Sequence, residues 1–226
     1  GKEYSYNGNL IYEGEYLNGK RNGKGKEYYY NNNLKYEGEF LNGERNGKGK
    51  EYIINTNILI FEGEYLNGRR NGKGKEYYYN GKLRFEGEYL NGKRWNGNGY
   101  NINDNIEFEI KDGKGKGKEY NFFSKLLLEG EYINGEKNGM IKEYDSFGKL
   151  IFEGEYLNGR KNGKGKEYYY NGKLKFEGYY LNGKKWNGNG YNIYGNIEFE
   201  IKDGKGKGKE YSYNGNLIYE GEYLNG

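Results

Sequence analysis

The chain has 226 residues, of which 42 are Gly and only 33% are hydrophobic, too little aliphatic material for a large globular core. Its 30 Tyr, 10 Phe and 2 Trp nevertheless supply far more aromatic surface than disordered chains carry. Cys and His are absent, which removes disulfides, thiolate metal sites and the commonest general base, and 37 basic against 33 acidic residues leave a formal charge of +4 with no one-signed field for nucleic acid or anionic lipid.

Ala and Pro are absent as well, and Tyr is punctuated by Gly, so strands are favoured over helices. The longest apolar stretches, Ile58 to Phe61 and Leu126 to Leu128, are far shorter than a membrane-spanning helix requires. The tripeptide EGE begins at Glu13, Glu37, Glu62, Glu86, Glu129, Glu153 and Glu220, with EGY at Glu177 and degenerate EFE copies at Glu107 and Glu198, at spacings of 21 to 25 residues. Self-similarity at that period is the mark of a repeat architecture. The elements of one unit, in chain order, are a strand at Leu34 to Phe40 (LKYEGEF), a turn at Leu41 to Gly47 (LNGERNG) and a second strand at Gly47 to Tyr52 (GKGKEY), which together predict a hairpin with Asn-Gly pairs at its turns. Further along, Glu62 to Phe152 resembles Glu153 onward at an offset of 91 residues. The EFEIKDGKGKGKEY stretches at Glu107 and Glu198 shorten the hairpin, and Met140 interrupts the Gly-x-Gly phrase; bent or bulged units are expected at these places. Gly1 to Gly19 is identical to Gly208 to Gly226. The reading is a single array over 1–226, about nine units, cut from a longer one.

Alternation puts Leu34, Tyr36, Gly38 and Phe40 on one face of the first strand, and Lys35, Glu37 and Glu39 on the other. Glycine inside a strand weakens it unless something lies on the bare backbone. Gly38, Gly47, Gly49, Gly63, Gly87, Gly154, Gly163 and Gly165 are therefore read as structural, each giving room to an aromatic ring from an adjoining strand. Tyr36 and Phe40, Phe61 and Tyr65, Phe85 and Tyr89, Phe152 and Tyr156, and Phe176 and Tyr180 are expected to form an aromatic ladder along the array. On the opposite face glutamates of one strand lie near lysines of the next, pairs that set register more than stability. The predicted fold is all-β: an elongated, twisted antiparallel sheet of tandem β-hairpins, an open-ended solenoid or rod, on the order of 90 Å long from two strands per unit.

Four features invite a functional reading. The run KDGKGKGK, at Lys111 to Lys118 and Lys202 to Lys209, has the Gly and Lys of a phosphate nest but not the spacing of a P-loop, and reads more simply as a short turn with solvated lysines. Trp95 and Trp186, the two tryptophans, replace a polar turn residue one super-repeat apart; they are candidate partner-binding residues, against the plainer reading that each folds over its own glycines. Carboxylate pairs such as Glu13 and Glu15 recur in most units, whereas a catalytic site needs one specialised environment. The EYYY segments, such as Tyr28 to Tyr30, offer stacking surface, which sheet packing also explains.

Phe152, Gly154, Tyr156, Asn158, Gly159, Gly163 and Gly165 reproduce an aromatic-x-Gly-x-aromatic strand, an Asn-Gly turn and a Gly-x-Gly strand, and this pattern resembles the MORN repeat. The phrase NGKLKF from Asn171 to Phe176 is similar to the shorter bacterial subtype found in some antitoxin components. The resemblance implies a non-enzymatic scaffold that binds a protein partner through its repeat surface, antitoxin-like in one variety. A self-assembling, fibre-like element joined end to end or face to face is the alternative, and a peripheral binder of anionic lipid or nucleic acid a third. No catalytic residue, metal, cofactor or small-molecule substrate is expected. The lack of cysteine and of glycosylation sequons fits an intracellular protein.

Overall fold

The computed structural model describes residues 1–212 and 214–225, and every regular element in it is a β-strand. The strands fall into two units, Gly1–Gly113 with Phe122–Ser124, and Lys114–Asn121 with Lys125–Gly226. The first holds β1 (Lys2–Tyr4), β2 (Leu10–Leu17), β3 (Lys20–Tyr28), β4 (Leu34–Leu41), β5 (Glu44–Tyr52), β6 (Leu59–Leu66), β7 (Arg69–Tyr77), β8 (Leu83–Leu90), β9 (Lys93–Tyr100) and β10 (Ile106–Lys111). Each pairs antiparallel with the next in sequence. The second unit repeats the arrangement with β11 (Lys114–Tyr120), β12 (Leu126–Ile133), β13 (Glu136–Tyr144), β14 (Leu150–Leu157), β15 (Arg160–Tyr168), β16 (Leu174–Leu181), β17 (Lys184–Tyr191), β18 (Ile197–Lys202), β19 (Lys205–Tyr211) and β20 (Leu217–Leu224). Among the described residues no pairing joins the first strand of a unit to its last, so neither sheet closes on itself.

Each hairpin is closed by a two-residue turn. Asn42 and Gly43 both have positive φ, 53° and 98°, the type I′ geometry whose twist matches that of paired strands. The second strand therefore begins at Glu44, three residues earlier than the sequence predicts, because the RNG phrase is strand carrying a bulge rather than turn. The bulge is made by Gly47 at φ 82°, and it reorients the chain so that Arg45, not a turn residue, stands opposite Phe40. The peptide displaced by the bulge is used by the neighbouring repeat. The amide of Gly43 donates to the Arg21 carbonyl (2.9 Å), that of Gly68 to Arg45 (2.9 Å) and that of Gly92 to Arg70 (2.8 Å); in the second unit Gly159 donates to Lys137 and Gly183 to Lys161. Consecutive hairpins meet through three-residue loops such as Tyr79-Asn80-Gly81, closed by Tyr78 and Lys82. The middle tyrosine of each EYYY segment turns inward there: the hydroxyls of Tyr78 and Tyr169 donate to the Tyr100 and Tyr191 carbonyls of the next repeat, both at 2.6 Å.

The core is a single layer of rings laid on glycine. Gly38 and Gly49 face each other across β4 and β5, and Tyr36 lies over both; a Cβ on Gly38 would stand 2.6 Å from the Gly49 Cα, and one on Gly49 would collide with the Tyr36 ring. The rings interlock edge to face in a zigzag, Tyr36–Phe40 at 5.4 Å, Tyr36–Tyr65 at 5.2 Å, Phe61–Tyr65 at 5.6 Å and Phe61–Tyr89 at 5.3 Å. In the second unit Phe152, Tyr156, Phe176 and Tyr180 repeat the pattern over Gly154 and Gly165. All are buried, Tyr36, Phe61, Phe85 and Phe176 completely.

Where the ladder aromatic is missing, the glycine beneath it is missing too. Leu128 takes the ring position in β12, and Ile141 fills the space of the second glycine, lying against Gly130; both are buried. Core volume is thus conserved at the unit that Met140 interrupts. The expectation of bent or bulged geometry at the EFE copies is corrected for β18 and β19, whose register runs from Phe199↔Gly208 to Lys202↔Lys205 without a shift. The residues missing from this shortened hairpin are those that form the bulge elsewhere. Its KDGKGKGK run is a turn at Asp203-Gly204 followed by a paired strand, so its amides are committed to the ladder and form no nest.

Substituting Gly49→Ala is expected to destabilise the fold by about 1–3 kcal/mol by forcing the Tyr36 ring off the sheet. Urea unfolding followed by tyrosine fluorescence measures this against the exposed control Lys48→Ala, for which less than about 0.5 kcal/mol is expected. Equal midpoints for the two variants would refute the ring-over-glycine account.

Candidate functional site

The two faces of each sheet offer different chemistry. On the aromatic face of the first unit, Arg45 stands over the Tyr36 ring, its Cζ 4.1 Å from the centroid, and Arg70 stands over Phe61 at 3.9 Å. Arg45 and Arg70 each bridge carboxylates of two repeats: Arg45 reaches Glu27 (2.5 Å) and Glu51 (2.9 Å), and Arg70 reaches Glu51 (2.5 Å) and Glu76 (3.4 Å), while Arg94 reaches Glu76 (2.5 Å). Glycine, ring, guanidinium and carboxylate are stacked in order, and the ion pairs form a continuous belt from Glu3 to Arg94. The second unit uses lysine in the same places: Lys161 stands 4.0 Å over Phe152 and pairs with Glu167 (2.9 Å), and Lys185 pairs with Glu167 (3.5 Å) and Glu210.

The belt is partly buried, with Glu76 at its most buried point, and its charges are compensated within the sheet. Burial opposes the charge on Glu76, but Arg94, Arg84 and Arg70 outweigh it and hold the carboxyl at about 2. Glu167 is held at about 2 in the same way, by Lys185 and Lys161 against burial. Every anion on this face has its cations, so the surface has little left to offer a partner.

The opposite face is open. In register across the strands it carries two parallel rows of alternating sign, one running through Glu37, Lys50, Glu62 and Lys75, the other through Lys24, Glu39, Lys48, Glu64, Lys73 and Glu88. Between them the strands cross at glycine, and the rows enclose a groove of about 940 Å³ floored by Gly38, Gly49, Gly63, Gly74 and Gly87. In the first row the tyrosine hydroxyls of Tyr28, Tyr52 and Tyr77 donate to Glu13, Glu37 and Glu62, each at 2.6 Å. Burial and the glutamate acceptor push the Tyr28 phenol up to about 12. Lys75 pairs with Glu86 at 2.9 Å, a contact nearly half exposed and screened by solvent. Leu41, Leu66 and Leu90, which share this face by strand alternation, stay exposed at its hairpin-turn edge. The second unit has a smaller groove of about 400 Å³, where Met140 and Tyr179 stand at positions held by charged residues in the first.

Trp95 and Trp186 stand at the bulges of β9 and β17, each the unpaired residue between two ladder partners, and both are half-buried. The Trp186 ring covers Gly204, the turn glycine of the following hairpin rather than a glycine of its own, and its carbonyl accepts the Gly204 amide at 2.8 Å. The Trp95 carbonyl accepts from Gly113 at the same distance. Among the described residues no group of three or more acidic side chains is placed to hold a metal ion.

The MORN repeat matches residues 12–34, 36–56, 61–82 and 152–173, and a MORN repeat variant matches 137–158 and 205–225. No curated protein sequence matches the chain. The unmatched stretches include the units in which Phe108 or Phe199 replaces the strand glycine.

A carboxyl held below its unfolded value stabilises the fold above that value and loses the contribution as pH falls toward the folded one. Glu76 and Glu167 each contribute about 3 kcal/mol at neutral pH by this measure, lost progressively between about pH 4.5 and pH 2. Thermal melts by circular dichroism across that window are expected to fall steeply. Glu76→Gln, which removes the carboxylate shared by Arg70, Arg84 and Arg94, is expected to cost about 3–5 kcal/mol at pH 7 and to shallow the acid slope. An unchanged slope in that variant would show that the belt does not carry the acid sensitivity.

Proposed function

Because the chain belongs to the MORN-repeat family, we propose that it is a non-enzymatic scaffold that binds a protein partner along the Glu/Lys face of its hairpin repeats. The observation that carries this reading is the difference between the faces. The aromatic face is sealed by its own ion pairs, while the other presents an open groove of about 940 Å³ with glycine backbone as its floor and exposed leucines at its edge. Specific protein contacts want both components: apolar groups to exclude water and fixed charges to set register. The repetition that builds this surface argues against catalysis, since the same carboxylates recur in the same surroundings from repeat to repeat, with no specialised environment for one of them.

Affinity capture from the source cells, followed by cross-linking mass spectrometry, tests the reading. A stoichiometric protein partner is expected, with cross-links on Lys24, Lys48 and Lys73, and none on Lys137, Lys161 or Lys185, which lie over the aromatic ladder and are tied into its ion pairs. Retention of lipid vesicles or nucleic acid alone, or links confined to the sealed face, would overturn it.

A further inference from the structure

The groove of the first unit has equal numbers of lysines and glutamates along its walls, yet the two signs are not equally available. Most of the glutamates are already served by the chain itself. Glu64 accepts the Lys73 amide at 3.1 Å, Glu88 accepts the Asn96 side chain at 2.9 Å, and the Glu37 and Glu62 carboxylates accept tyrosine hydroxyls. Lys24, Lys48 and Lys73 have no ion-pair partner among the described residues. They stand two strands apart, hence about 10 Å from one to the next along the groove.

Length and spacing restrict the occupant further. From β3 to β8 the groove runs about 24 Å, the length of an extended segment of about seven residues. Among extended forms, polyproline II returns a side chain to the same side every third residue, a rise of about 9.3 Å, which matches the lysine interval, whereas a β-strand puts residues i and i+3 on opposite sides.

We propose that the glycine-floored groove of the first unit binds an extended, polyproline-II-like acidic segment bearing a carboxylate at every third residue, with Lys24, Lys48 and Lys73 as its successive contacts. This rests on the scaffold reading and names the chemistry of the partner. A uniform polyanion is disfavoured, because the glutamates between the lysines repel charge placed at every residue. The second unit serves as an internal control: Met140 takes the place of one lysine there, and Lys164 lies 5.8 Å from the Tyr179 ring.

The test is fluorescence anisotropy with a labelled peptide of three Glu-Pro-Pro triplets, using the full chain at low and high salt. Binding at least tenfold tighter than to an isomer with its three glutamates contiguous is expected. A K24S/K48S/K73S variant is expected to lose at least tenfold while melting like wild type, and Lys164→Ser to bind unchanged. Equal affinity for the contiguous isomer, for inorganic polyphosphate or for phosphatidylserine vesicles would overturn the proposal, as would unchanged binding by the triple variant. If the peptide fails while captured protein still cross-links to the same lysines, the scaffold stands and this occupant does not.

Discussion

The cross-strand pairing of glycine with glycine is the constraint on which the rest of the structure depends. A single-layer sheet has no second layer to bury its apolar face, and side chains standing upright would leave that face wet. Removing the Cβ from two facing residues lets a ring lie flat on the peptide plane, so one aromatic covers two strands at once. The next ring then meets it edge-on, and a cation covers the pair from above. The layers that two packed sheets would ordinarily supply are built here from one sheet and its own side chains.

The two units solve the uppermost layer differently. Arginine presents a plane to the ring and a fork to the carboxylates, so Arg45 makes contact with Tyr36, Glu27 and Glu51 simultaneously. Lysine offers a point charge, and Lys161 pairs with Glu167 while its counterpart Lys185 divides itself between Glu167 and Glu210. The burial of Lys175 among these groups, with Lys185 and Lys161 nearby, lowers its affinity for a proton in spite of Glu167. The first unit thus has the more specific belt, and on its other side the larger groove.

Much of this is legible in the amino-acid order. Period-two alternation and Asn-Gly turns are enough to specify hairpins, because both are local rules that neighbours rarely override. The start of the second strand is not legible, since Arg45-Asn46-Gly47 has turn composition and only the ladder shows that it is paired and bulged. The cation belt is hidden for the same reason: Glu51 follows Gly49 at the strand period, but Arg45 is reached only through the bulge. The groove is hidden more deeply. Glu39, Glu64, Lys48 and Lys73 alternate evenly in sequence, and which sign remains available depends on hydrogen bonds to amides and asparagines that alternation does not describe. The exchange of an aromatic and a glycine for Leu128 and Ile141 is visible in sequence as two departures, and only packing reveals them as one substitution in two places.

The bond from each turn glycine to the bulge carbonyl of the preceding repeat has a chemical consequence as well as a structural one. Asparagine followed by glycine is the dipeptide most prone to ageing, because the glycine amide nitrogen attacks the asparagine side chain, expels ammonia and closes a five-membered imide that water reopens to aspartate or isoaspartate. At Gly43, Gly68, Gly92, Gly159 and Gly183 that nitrogen is held by another repeat's carbonyl and the backbone is fixed in the left-handed region. The contact that stacks one hairpin on the next therefore restrains the nucleophile, and a sequence that would decay quickly as an unfolded chain is slowed, turn by turn, by its own assembly.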